Sequence, residues 1–510
     1  MDHNHFDTKT PLLPLPSPQS PLPTGTPSRS HTVTPTSAHI RHFLAFSFVL
    51  IWILYSPVSR HSKAPHQEFY SNVTNPTDSD ICSSPSGPAV SHAGYIGLKG
   101  DTETAPKRSF FWFFEAENEA QNAPIILTIG GGPGTSGMLN PLSAQGPCIV
   151  VENGTVPNPN RWTEHFNLIA LDHPIGVGAS YGTQINNSRA AAIDVYDFLQ
   201  KFFRLYPNLS RNQLVVSGGS YGGVYVPHIA TVIHEQNIAL AAGKGQPGAI
   251  HLNLESMMIS NPVSDALSHY RWMLQQRCYN VPDMYNATTC AELFAVLPRC
   301  LEAIQFAQQQ SEPGPRVAAM KACRPLDEGD RHGTVTEDVR RKCYSKEPLG
   351  CLAPSFGWID NFFQRPEIKN ALAIPDHVKF KILAEDVGEA FDAYGDIIQS
   401  AYLLHEPLLR DGIRLLHYVG KQDANCAWPG IISFLKLLRS PFQEEFLRTP
   451  DVPWPTVEDA TVRVVGEKAG NMTYILIQQA GHFVARDQPA LVKSIVDHWV
   501  QNVPFEADTR

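Results

Sequence analysis

Residues 215–227, VVSGGSYGGVYVP, restrict the fold of this 510-residue chain more than any other stretch. At their centre Gly218-Gly219-Ser220-Tyr221-Gly222 fits the pattern G-x-S-x-G. The apolar run Leu214-Val215-Val216 before it reads as a strand, and 224–235 after it reads as a helix. A serine between small residues two before and two after belongs on a sharp strand-to-helix turn, where the backbone crowds and the hydroxyl stands clear of the sheet. The pentapeptide alone is a weak signal, and the strand and helix around it supply the specificity.

Beyond residue 81 short apolar runs alternate with helical segments, the mark of a mostly parallel sheet flanked by helices. Candidate strands are 125–129, 167–171, 214–216, 257–259, 415–419 and 474–477. Four of them run straight into loops of chemical interest: Gly130-Gly131-Gly132-Pro133-Gly134, Gly218-Gly219-Ser220, the loop holding Asp423, and Gly481-His482. Functional loops of open α/β sheets lie at the carboxyl ends of strands. The fold class is therefore α/β, an α/β-hydrolase fold with a mostly parallel sheet. Its core spans 81–262 and 352–503. Between 263 and 351 the alternation lapses, and that segment is expected to be an inserted, disulfide-rich helical cap.

Compartment is indicated by what surrounds this core. Residues 1–42 are a Pro/Ser-rich tail with too few large apolar side chains to bury a core, which reads as disordered. The uncharged run 43–58 is at the short edge of membrane-spanning length, and fits an anchor or the apolar region of a signal peptide. The long preceding tail and the lack of an A-x-A-like site after it favour an uncleaved anchor, with the catalytic part lumenal or extracellular. A cleaved segment would leave a secreted protein. Nine cysteines are present, six of them between 278 and 351, the pattern of a stapled insertion in an oxidising compartment. Glycosylation sequons at Asn72, Asn153, Asn186, Asn208, Asn286 and Asn471 all follow the apolar run. No C-x-x-C pair and no long basic run occurs, so neither a metal, a cofactor nor nucleic acid is expected.

A serine hydroxyl needs an adjacent base, and the base needs an orienting group. In this fold they follow in the order serine, acid, histidine. His482, in QQAGHFVARDQP, follows a strand-like run and precedes a helix; Asp423, in LLHYVGKQDANCAW, again lies just past a strand. The triad read from the residues is Ser220, Asp423 and His482. The loop IGGGPGTSG offers unobstructed backbone N–H groups, and those of Gly132 and Tyr221 are expected to form the oxyanion hole. A phosphate-binding loop is excluded, since no G-K-[ST] ending and no G-x-G-x-x-G spacing is present.

FFWFFEAENEAQNAPIILTIGGGPG, NPNRW (158–162), LDHPIGVGASYG (171–182), GGSYGGVY (218–225), FFQRPEIKNALAIP (362–375), GKQDANCAW (420–428) and AGHFVARDQP (480–489) occur in that order. Together they resemble the successive blocks of the serine carboxypeptidase family, in particular its fungal carboxypeptidase S1-like branch, over roughly 82–503. The resemblance implies a serine-type carboxypeptidase that cleaves C-terminal residues of peptides through an acyl-enzyme, with the same three triad residues. It also implies that Cys426 matches the family's unpaired cysteine, which leaves eight others, enough for four bridges. Three positions depart from the pattern. Where the family carries an asparagine and two glutamates that grip the peptide's terminal carboxylate, this chain has Gly130, Ala144 and Gly219. Lys421, replacing a usual acidic residue, is a candidate substitute cation. An esterase or acyltransferase on the same scaffold is the alternative, so the expected partner is a peptide or ester substrate.

Overall fold

The computed structural model describes residues 69–79, 81–328, 331–345, 351 and 354–505. The tail 1–42 and the apolar run 43–58 lie outside the described residues. Among the described residues, no helix is long and apolar enough to cross a membrane.

A twelve-stranded mixed sheet organises the molecule. Its nine longest members, apart from the edge strand Ser71–Thr74, are β1 (Ser91–Gly97), β2 (Lys107–Phe114), β3 (Ile125–Ile129), β4 (Asn167–Leu171), β5 (Leu214–Gly219), β6 (Leu254–Ser260), β7 (Arg414–Gly420), β8 (Ala460–Val465) and β9 (Met472–Ile477). They run across the sheet in the order β1-β2-β4-β3-β5-β6-β7-β9-β8. Every pairing from β4 through β9 is parallel, while β1, β2 and β8 join antiparallel at the two sides. The six expected strands are the six parallel ones.

The central strands form because their side chains are apolar on both faces, as a doubly covered parallel sheet requires. Leu127, Val216, Met257, Leu415 and Tyr474 enter one core, and Ile126, Val215, Met258, Leu416 and Ile475 the other. Helices Ser188–Leu205, Gly222–Ala241 and Trp428–Leu435 contribute to the first core; Ser355–Gln364 and Pro489–Val500 contribute to the second. Asn187 starts the first of these helices, its side chain accepting from the Ala190 N–H as an N-cap should.

The segment 263–351 carries the helices Ala266–Gln275, Ala287–Gln308 and Pro313–Cys323, which close on their own small core around Met273, Leu297 and Ile304. Disulfides Cys278–Cys290, Cys300–Cys323 and Cys343–Cys351 lie within it, and a fourth, Cys82–Cys148, joins the entry of the chain to the core. Cys426 is unpaired and buried. Past its helices the segment turns inward. Glu337 O accepts from the His482 N–H at 2.6 Å, Thr336 O from Ala424 N–H at 2.8 Å, and Gln422 O from Val339 N–H at 3.0 Å. Among its described residues after Asp327 none is helical, and their backbone bonds directly to the loops after β7 and β9.

Candidate active site

β5 ends at Gly219, and a helix begins at Gly222. Ser220 between them sits at φ 58°, a left-handed conformation uncommon for a residue with a Cβ and concentrated at functional turns. Its backbone is held from both sides: the N–H donates to Ser260 O at 3.0 Å, and the carbonyl accepts from Gly223 and Val263, each at 2.9 Å. The crowding expected at the two flanking glycines is one-sided. A Cβ on Gly218 would meet Val226 at 3.0 Å, whereas one on Gly222 would meet nothing within 4 Å. The close approach instead falls at Gly223, where a Cβ would lie 2.5 Å from Pro262.

The loops after β7 and β9 bring Asp423 and His482 together. Asp423 is fully buried, and its Oδ2 accepts from His482 Nδ1 at 2.6 Å. A carboxylate only accepts, so Nδ1 carries the proton and Nε2 is left as the base. Asp423 Oδ1 accepts from the N–H groups of Asn425 and Cys426, at 2.7 and 3.0 Å. Asn261, which follows β6 at φ 38°, donates to Asp423 Oδ2 at 2.7 Å and accepts from Gly420 N–H at 2.9 Å. Burial by itself would push the His482 ring down; the charge and hydrogen bond of Asp423, with the Cys426 thiol, outweigh it and hold the ring well above its ordinary value. The Cys426 thiol is raised as well, in its case by burial, against the pull of His482.

Ser220 and His482 line one cavity of about 230 Å³ with the glycine loop. Among the described residues no hydrogen bond joins their side chains, and the bond His482 makes runs to Asp423. The glycine loop packs hard against Ser220: a Cβ on Gly131 would come 2.9 Å from the Ser220 Cβ and 3.2 Å from Tyr221 N. Gly132 adopts φ +109°. Among the described residues neither Gly132 N–H nor Tyr221 N–H donates to a backbone carbonyl, which leaves both free beside Ser220. The Tyr221 ring is anchored from behind, its hydroxyl donating to Asp396 at 2.8 Å.

The three positions without gripping side chains are not vacant space. A Cβ on Gly130 would fall 1.9 Å from Thr135 O, and one on Gly219 would fall 2.6 Å from Ser260 Oγ. Ala144 is buried in the short turn Pro141–Gln145 at the cavity wall. Lys421 is not the substitute cation, for its ammonium donates to Gln478 Oε1 at 2.8 Å and it does not line the cavity. Asn261, Glu337 and Arg486 escaped the reading of the sequence. Asn261 had one usable signal, its place at the carboxyl end of a central strand. Of the sequons, Asn72, Asn153, Asn186, Asn208 and Asn286 are exposed; Asn471 is half-buried and its Thr473 buried.

A parallel-centred sheet with its serine turn, acid and histidine at the carboxyl ends of β5, β7 and β9 defines an α/β-hydrolase. The family model described as serine carboxypeptidase matches residues 84–502, and the chain belongs to that family of C-terminal peptide hydrolases. Carboxypeptidase Y homolog A of Sclerotinia sclerotiorum is 29% identical over 419 residues, covering 81% of this chain and 73% of that protein. The protein of the same name from Pyricularia oryzae is also 29% identical, covering 82% and 73%. Among solved structures, the Kex1 prohormone-processing carboxypeptidase of Saccharomyces cerevisiae superposes with a TM-score of 0.66 at 20% identity, over 83% of this chain and 94% of that one.

Proposed function

We propose that Ser220, His482 and Asp423 carry the peptide hydrolysis through an acyl-enzyme. The observation that carries this is the 2.6 Å bond from His482 Nδ1 to buried Asp423, at the rim of a cavity that the strained Ser220 also lines. His482 Nε2 takes the Ser220 proton as the oxygen attacks the carbonyl of the last peptide bond. The N–H groups of Gly132 and Tyr221 receive the developing oxyanion, a contribution that in acyl transfer is commonly about 3–4 kcal/mol per donor. Nε2–H then protonates the departing amine, and water repeats the sequence to free the acid. Asp423 holds the tautomer and stabilises the imidazolium without taking the proton.

The segment 263–351 is the cap of this cavity, which it reaches through Glu337 past its helices. Four disulfides and five exposed sequons support a secretory-pathway location, with the run 43–58 as anchor or leader. Carbonate extraction of membranes separates the two: an anchored form stays with the pellet, and a shortened soluble product rules the anchor out.

The catalytic assignment is tested by labelling with a fluorophosphonate, which should modify Ser220, and by release of C-terminal amino acids from blocked dipeptides. Rapid turnover of the matching esters with no amino acid released would overturn the peptide reading in favour of an esterase.

A further inference from the structure

We propose that Arg486 is the anion receptor of this cavity, gripping the free carboxylate of the substrate's last residue in place of the side chains absent at 130, 144 and 219; this rests on the peptide reading above. Arg486 is the only arginine or lysine among the described residues that line the cavity. Its Nη1 is buried and has no hydrogen-bond partner. A donor held out of water with nothing to bond is unfavourable, and such groups call for a reason. A ligand carboxylate supplies one.

The rest of the side chain is fixed in a way that leaves that donor over. Nε and Nη2 reach Asp487 Oδ1 at 3.4 and 3.2 Å, long bonds along one edge of the guanidinium. Asp487 is itself shared: its Oδ2 accepts from Gly481 N–H at 2.8 Å and lies 3.5 Å from Arg340 Nη2. The guanidinium carbon stands 4.8 Å from the centre of the Phe483 ring, which sets the plane of the fork. The Nη1–Nη2 edge remains for a carboxylate, the geometry at which arginine outperforms lysine. Gln145 sits in the same cavity with a buried, unpartnered Oε1, and a half-turn of its amide presents NH₂ to the same anion. Glu337, the one carboxylate among the described residues that line the cavity, takes the His482 N–H on its backbone oxygen, and its side chain accepts from the Thr336 hydroxyl at 2.9 Å. Its repulsion directs an incoming carboxylate away from that side.

The experiment compares a blocked dipeptide bearing a free C-terminal carboxylate with its C-terminal amide, as a ratio of kcat/KM. In Arg486→Gln this ratio should fall by about 10- to 100-fold, chiefly through KM, as expected for one hydrogen-bonded charge. Arg486→Lys should recover part of it. An unchanged ratio in an Arg486→Gln protein that still labels at Ser220 overturns the proposal. Should that variant not fold, the wild-type protein decides: N-acetylphenylalanine must inhibit ester turnover at least ~10-fold better than its amide, and equal inhibition overturns it. Absence of fluorophosphonate labelling in the wild type would strike the catalytic reading instead, leaving the two failures distinguishable.

Discussion

The two sides of the cavity differ in how closely they keep to the serine carboxypeptidase pattern. On the side of His482, each oxygen of Asp423 has two donors, the Ser220 backbone is held by three bonds, and the glycine loop presses against Ser220. On the side of Gly130, Ala144 and Gly219 the chain has no gripping groups, and Thr135 and Ser260 fill the space where two of them would begin. The machinery for making and breaking an acyl bond does not depend on how the substrate's end is held. One fold can therefore keep the first and rebuild the second, provided another donor takes over the anion.

The contrast can be broken most forcefully at Asp423. Asp423→Asn should lower kcat by about 10⁴-fold, since the amide can hold the wrong tautomer of His482, while fluorescence and thermal melting show the fold retained. The same pair sets the pH behaviour. Only the neutral ring can accept the serine proton, so kcat/KM should rise with pH through the raised His482 value. The stability that the pair contributes runs the other way: it is complete below the ordinary histidine value of about 6.5 and is lost as pH rises through the folded value. Melting temperature and kcat/KM should accordingly move in opposite directions above pH 6.5, in a window that Asp423→Asn abolishes. Parallel movement would separate the two groups functionally.

A smaller effect is expected at Asn261. Its amide bond to the carboxylate is charge-assisted, worth about 1.5–3 kcal/mol, so Asn261→Ala should slow ester and peptide turnover alike by about 10- to 100-fold. Unequal effects on the two substrates would place Asn261 in recognition as well. The smallest effect sharpens the other side. Gly219→Glu alone forces Ser260 Oγ to shift from 2.6 Å and should lose about 1–3 kcal/mol of stability, as overpacking does. Adding Ser260→Gly should return most of it and raise the preference for the free carboxylate over the amide at acid pH by several-fold, read from kcat/KM.

The legible parts of this molecule are those whose causes are local. The six parallel strands betray themselves because burial on both faces demands unbroken apolar runs, each ended by a loop. β2 carries the same kind of unbroken run, Phe110 to Phe114, yet its aromatic side chains served only as a family block. Their places just after strands made it readable that Ser220, Asp423 and His482 come together at one end of the sheet. Asn261 reaches Asp423 across 162 residues, and Arg486 owes its exposure to the cavity to Phe483 and Asp487 packing beside it. No periodicity records such contacts. Gly130 is instructive in the other direction, because what reads as a deleted side chain is a backbone carbonyl occupying its place.

Asn261 is followed by Pro262. Asparagine ordinarily loses its amide when the next residue's nitrogen attacks the side chain to close a succinimide, a ring closure that needs a proton on that nitrogen. Proline has none. Were Asn261 to become aspartate, a second acid would face Asp423 where a donor now stands 2.7 Å away, and adjacent carboxylates cannot both stay ionised. The ring against Asp423 would lose its counter-charge with age. A single imino acid thus shields the centre from its own slow chemical clock.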